Sequence, residues 1–239
     1  MKRTLISPAL DTFPAVFHPL LQGAAVYDSS SSPVARVFFI DKEGGYFLKS
    51  APFLAKEAAM TRFYHSRGMA AEVLEYLHAE KDWLLTRAVP GEDCTHYLSD
   101  PERLCDTLGE LLRALHESDT ADCPVPDRTT AYLATARRNY KAGMFDTHLF
   151  PKGEGFATPK EAWQVVQAGA HLLKRDTLLH GDFCLPNVIL KDWHFSGLID
   201  VDGGSVGDRH IDLFWGVWSL HYNGTTPTAE TRLHRKCSV

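Results

Sequence analysis

Pro90-Gly91 separates two stretches with different apolar periods, and that change limits the architecture more than any other feature of the chain. Before it, β-branched and aromatic residues come in short runs. Val34 to Ile40 is one, and Tyr46 to Lys49 follows the turn signal Gly44-Gly45. Val73 to His78 and Trp83 to Ala88 read as two more strands, with a helix candidate, Phe53 to Arg67, placed before them and stopped by Gly68. After Pro90-Gly91 the spacing turns helical. Ser99 or Asp100 can cap, Pro101 suits a first helical position, and Leu104, Leu108, Leu111, Leu112 and Leu115 recur on one face. Thr158-Pro159-Lys160-Glu161 has the form of a capping box, opening a helix whose apolar face holds Ala162, Val165, Val166, Leu172 and Leu173. The expectation is an α+β chain of two lobes. Residues 1–89 form a small β-rich lobe, 90–239 a larger, mainly helical one, and Trp83 to Gly91 the hinge.

A chain of 239 residues is long enough to bury a real core in either arrangement. Lys and Arg total 25 against 30 Asp and Glu, a formal charge of −5. That balance argues against a nucleic-acid partner and mildly favours neutral or cationic ligands. The five cysteines (Cys94, Cys105, Cys123, Cys184, Cys237) show no C-x-x-C spacing, so a reducing cytosol is the expected setting. Pro8, Asp11, Pro14 and Pro19 interrupt any apolar signal core, and no apolar run approaches the roughly 18 residues that would span a bilayer. The protein is expected to be soluble and cytoplasmic, without a membrane partner.

The chemistry is concentrated in Leu178-Leu179-His180-Gly181-Asp182-Phe183-Cys184-Leu185-Pro186-Asn187-Val188-Ile189-Leu190. The pattern is strand, polar loop, strand. Downstream, Phe195 to Ile199 reads as another strand leading into Asp200, so Asp182, Asn187 and Asp200 can converge at the ends of adjacent strands. Phosphoryl transfer needs such a cluster: one aspartate to orient the acceptor hydroxyl and take its proton, an Asn and a second Asp as oxygen ligands to Mg²⁺. A loop merely braced by local turn hydrogen bonds is the alternative reading of Asp182 and Asn187.

His180-Gly181-Asp182-x4-Asn187, then Phe195-Ser196-Gly197-Leu198-Ile199-Asp200, then Gly207-Asp208-Arg209-His210-Ile211-Asp212 closely resembles the aminoglycoside 3'-phosphotransferases, with choline, homoserine and, more remotely, protein kinases as wider relatives. The resemblance runs from about residue 15 to about residue 222 and implies a two-lobed protein-kinase-like fold. It implies Asp182 as catalytic base, Asn187 and Asp200 as magnesium ligands, and His180 as a brace for the loop. Lys49, ending Tyr46-Phe47-Leu48-Lys49, matches the lysine that pairs with phosphates, and Glu57 resembles its acidic partner. No G-x-G-x-x-G or Walker A sequence is present; the loop Tyr27-Asp28-Ser29-Ser30-Ser31-Ser32-Pro33 would cover the phosphates through Ser29 and Ser30, with a plain serine-rich hairpin loop as the alternative. The main-chain groups of Arg87 and Val89 would read the adenine of ATP, with GTP as the alternative.

The implied acceptor is a small hydroxyl compound, cationic if it is an aminoglycoside, and Asp146, Glu154 and Asp208 are the acids placed to meet it. The segment Asn223 to Val239 departs from the resemblance: the terminal helices with an acidic end are replaced by a run holding Arg232, His234, Arg235 and Lys236. Without such helices the apolar faces of Ile211, Trp215 and Trp218 would stand exposed. Three other readings stay open. The acceptor could be choline-like, homoserine-like or a sugar; the chain could be a non-catalytic, nucleotide-binding pseudokinase; and Gly203-Gly204-Ser205-Val206-Gly207 formally matches the nucleophile elbow of a hydrolase.

Overall fold

The structure is a computed structural model that describes residues 3–145, 155–224 and Leu233. The N-terminal part is an antiparallel sheet of β1 (Thr4–Ile6), β2 (Ala25–Asp28), β3 (Arg36–Asp41), β4 (Tyr46–Ala51), β5 (Val73–Leu77) and β6 (Asp82–Arg87) in the order β1-β2-β3-β4-β6-β5. Strand β1 is an unanticipated edge strand; it is too short and too exposed, with Leu5 65% accessible, to show an alternating pattern. Alternation along β4 sends Leu48 into a cluster with Phe17, Val26, Phe38 and Ile40, which leaves Lys49 on the other face. Helix α2 (Ala55–His65) covers that face.

The C-terminal part is helical, with α3 (Pro101–His116), α4 (Arg128–Lys141), α5 (Pro159–Gly169) and α6 (His210–Tyr222); a short α1 (His18–Leu21) belongs to the N-terminal part. Asp100 caps α3 by accepting from Arg103 N, and Leu104, Leu108, Leu112 and Leu115 are buried as their spacing predicts. Each such leucine contributes about 1.5–3 kcal/mol relative to exposure. Two small sheets lie here, β10-β9-β7 and β11-β8, built from β7 (Glu92–Asp93), β8 (Thr177–Leu179), β9 (Val188–Lys191), β10 (His194–Leu198) and β11 (Ser205–Gly207). The architecture is α+β and two-lobed. No helix among the described residues is long and apolar enough to cross a membrane.

Thr158 caps α5 by accepting from Glu161 N. The apolar face expected there does not enter the core, however: Val165 is 55% exposed, Leu172 lies in the turn beyond the end of α5 and is 69% exposed, and α5 meets α4 through stacking of Trp163 on Tyr140.

Helix α2 ties the two parts together. Leu54 and Ala58 pack towards the sheet, whereas Met60, Phe63 and Tyr64 join the core of the helical part, and the Tyr64 hydroxyl donates to the Leu179 carbonyl. The link after β6 is also held: Ser196 Oγ donates to Pro90 O at 2.5 Å, and Gly91 lies so close to β9 that a Cβ would meet Leu190 O at 2.2 Å.

Candidate active site

The loop between β8 and β9 is placed from below by one buried carboxylate. Asp212, in the first turn of α6, is fully buried and accepts from His180 N at 2.9 Å and Gly181 N at 2.6 Å. His116 Nε2, at the end of α3, approaches the same carboxylate at 3.2 Å. Phe183 drops into the core beneath the loop, and Leu185 N donates to Ser219 Oγ at 3.0 Å. Gly181 has φ +81°, and a Cβ there would lie 2.0 Å from Gly203 O, so this loop and the one after Asp200 cross where no side chain fits.

His180 is fully buried. Its Nδ1 accepts from Asp182 N at 3.3 Å while its Nε2 faces Ile199 O at 3.0 Å, which assigns the proton to Nε2 and makes the ring a brace between the two loops. Asn187 Nδ2 donates to Asp182 O and Oδ2, both at 2.9 Å, and Asn187 O accepts from Ile199 N at 3.0 Å. The Cys184 thiol lies 3.1 Å from Asp182 Oδ1, and burial together with the Asp182 charge pushes that thiol up, out of the thiolate range.

Asp200 adopts the left-handed conformation, φ +56° and ψ +49°. A non-glycine residue held there costs on the order of 1–3 kcal/mol and persists only where its surroundings enforce it. One enforcing contact is ionic. Lys49 Nζ is 2.7 Å from Asp200 Oδ1 and 2.8–2.9 Å from both oxygens of Glu57. Burial opposes the Lys49 charge, but Glu57 and Asp200 outweigh it and raise its pKa, so the ammonium is retained. Glu57 is raised by its own burial and by Asp200, with Lys49 acting against both. Lys49, Glu57 and Asp200 therefore meet at one point, where β4, α2 and the segment after β10 converge.

A match to the family described as "Phosphotransferase enzyme family" covers residues 30–237. The chain belongs to this phosphotransferase family. A probable aminoglycoside 3'-phosphotransferase from Lactococcus lactis subsp. lactis is 44% identical over 220 residues, 90% of this chain and 83% of the relative. The aminoglycoside 3'-phosphotransferase of Streptomyces fradiae is 30% identical over 204 residues, 80% of this chain and 74% of the relative. Among solved structures, APH(3'')-Id from Streptomyces rimosus, with ADP and streptomycin, shares the fold at TM-score 0.76 and 18% identity, covering 98% of this chain and 93% of that one.

Against that family, some expectations need correction. The family match runs to residue 237 and so spans residues 223–237 of the segment expected to depart from it. Leu233 is fully buried and packs beside Gly216, while Trp215 and Trp218 are half-buried. Asp208 does not present a carboxylate to a substrate: it is 2% exposed and accepts from Lys174 N at 2.6 Å, His210 N at 2.9 Å and His210 Nδ1 at 2.7 Å. Asp146 and Glu154 lie outside the described residues. Ser205 is no elbow nucleophile in this phosphotransferase; it opens β11, is fully buried, and donates to Gly203 O at 3.1 Å.

The Ser29–Ser30 loop is the connection from β2 to β3. Ser30 N donates to Asp28 Oδ1 and Ser30 Oγ accepts from Val37 N, both at 2.9 Å, so Ser30 shapes the turn. Arg87 N donates to Glu72 O at 3.0 Å, while Ala88 N donates to Gly45 O, also at 3.0 Å. The alternation of an antiparallel ladder therefore turns the Arg87 carbonyl away from β4. Val89 packs against Gly197. Asp212 and His116 were missed as site residues. Asp212 stood in the quoted motif, yet only the fold shows that its carboxylate reaches back more than thirty residues to the His180 and Gly181 amides.

Proposed function

We propose that the chain transfers the γ-phosphoryl group of ATP to a hydroxyl of an aminoglycoside, acting in the cytoplasm, with the 3'-hydroxyl as the acceptor position. The observation that carries this reading is the pairing of Asp182 with Asn187 beside a loop that ends in Asp200, itself bound to Lys49. Identity of 44% to a probable aminoglycoside 3'-phosphotransferase supports the substrate class.

In this reading residues 1–89 hold the nucleotide and residues 90–239 the acceptor. Lys49 holds the α- and β-phosphates as a point charge, and Glu57 fixes its direction. Ser29 and Ser30 close over the phosphates, while the Arg87 carbonyl and the Val89 amide read the base. Asp182 orients the acceptor hydroxyl and takes its proton as the oxygen attacks phosphorus. Asn187 and Asp200 suit Mg²⁺: the amide nitrogen of Asn187 is committed to Asp182, which leaves its oxygen as a donor, and Asp200 is half exposed and offers a hard carboxylate. Bound there, Mg²⁺ would neutralise phosphate charge. The remainder of the catalysis is positioning.

A coupled ADP-release assay with kanamycin, neomycin, choline, homoserine and simple sugars tests the proposal. Stimulation by the aminoglycosides alone is expected. Stimulation by choline or homoserine would move the acceptor class, and nucleotide binding without stimulation by any of them would make the chain a pseudokinase.

A further inference from the structure

Strand β4 carries Lys49 and helix α2 carries Glu57, and only Pro52, Phe53 and Leu54 connect them. The geometry of that ion pair therefore depends on how α2 begins. A helix start leaves N–H groups without internal partners, and a side-chain oxygen usually accepts from one of them. Leu54, at the N-cap position, has no such oxygen, and at 2% exposure its own N–H is shut off from water.

The acceptor for that N–H comes from another strand. Asp82, the first residue of β6, accepts from Leu54 N at 2.8 Å through Oδ2. The same oxygen receives the Tyr76 hydroxyl at 2.9 Å, and Oδ1 lies 2.7 Å from His78 Nδ1. Asp82 is 2% exposed, and its register partner in the sheet is Ala51, the last residue of β4. One carboxylate thus ties together the end of the strand bearing Lys49, the start of the helix bearing Glu57, and the β5–β6 turn.

We propose that Asp82 is a positioning residue for phosphoryl transfer: it fixes the first turn of α2 and so sets Glu57 against Lys49. This rests on the reading of Lys49 and Glu57 as the phosphate-holding pair. Glu57 is three residues beyond Leu54, inside the first turn, so fraying or rotation of that turn displaces it directly. Without the carboxylate, the buried Leu54 N–H and Tyr76 hydroxyl both lose their acceptor. Opening the first turn to water relieves this and withdraws Glu57. His78 is 80% exposed at its side chain and can turn to solvent, so its bond matters least.

A double-mutant cycle on the full chain tests this, with Asp82→Ala, Glu57→Gln and the pair measured for KM(ATP), kcat, acceptor KM and Tm. Asp82→Ala is expected to raise KM(ATP) about five- to tenfold, the size of one lost cap, without changing acceptor KM. In the Glu57→Gln background the same substitution should change KM(ATP) no further, because residues that act through one shared element couple rather than add. Asp82→Asn, which keeps an oxygen for Leu54 N, should recover most of the loss. If Asp82→Ala does not fold, Asp82→Asn and Tyr76→Phe carry the same cycle with smaller steps. Equal losses in both backgrounds, or a lowered Tm with wild-type KM(ATP), overturn the proposal. Wild-type kinetics for Glu57→Gln alone would instead remove the role of the ion pair, and this proposal with it.

Discussion

Asn187 donates both protons of its side-chain amide to Asp182, one to the main-chain carbonyl and one to the carboxylate, each at 2.9 Å. That end of Asn187 is wholly committed, and its oxygen is what remains for a cation. The proposed base and one proposed metal ligand are thus a single rigid unit, and a change at either is felt by the other.

For Asp182→Asn, turnover should fall ~10²–10⁴-fold, the usual share of a positioned base. The carboxamide keeps the shape of the side chain, so ATP affinity measured by calorimetry should change little. Wild-type turnover on a stimulating acceptor would sink the base assignment.

Asp200→Ala should abolish the dependence of rate on Mg²⁺ concentration and also release Lys49 from one of its two carboxylates. The check is a Mg²⁺ titration of ADP release. A normal Mg²⁺ response in this variant would remove Asp200 from the metal site.

Loss of Asp212 strands two buried amides, His180 N and Gly181 N, as well as His116. Each stranded amide costs about 1–3 kcal/mol, so Asp212→Ala should lower urea-unfolding stability by several kcal/mol in total. It should also reduce kcat, because the loop carrying Asp182 loses its floor. A stable variant of normal rate would show that the amides find other partners.

Two glycines should respond in opposite directions. Gly181→Ala would place a methyl 2.0 Å from Gly203 O at a φ of +81°, and should destabilise by more than about 4 kcal/mol or prevent folding. Gly169→Ala meets nothing within 4 Å, and its φ of −94° and ψ of −14° are open to alanine, so a gain of about 0.4–1 kcal/mol is expected. Thermal melting of both variants is the measurement.

Acid should unfold the protein partly through Asp208. Burial works to raise its carboxyl, but hydrogen bonds from Lys174 N, His210 N and the His210 side chain outweigh it and hold the group below the usual carboxylate range. A depressed folded pKa contributes stability that is complete above the unfolded value, about pH 4, and is lost as pH falls through the folded value. Asp208→Asn should therefore be less stable at pH 6 and lose less on acidification. An unchanged acid slope in urea unfolding from pH 6 to pH 2.5 would contradict this.

Taken alone, the sequence determined what local chemistry can determine. The core strands of the sheet, α2, α3 with its Asp100 cap, and the Thr158 cap follow from period and capping, which act over a few residues. The Asp182–Asn187 contact was legible for the same reason: five residues and one tight loop separate its partners. The meeting of Lys49 with Glu57 was foreseen only through likeness to the family. Tertiary structure decided the rest. A helical period shows that α5 has an apolar face but not that anything covers it, and Val165 stays exposed. An aspartate shows a charge but not its partners. Asp208 became a buried brace, Asp212 the floor of the loop carrying Asp182, and Asp82 the acceptor for the N–H that opens a helix twenty-eight residues before it. Burial, by removing water, is what forces each of those carboxylates to find donors far along the chain, and sequence spacing carries no record of which donors the fold brings near.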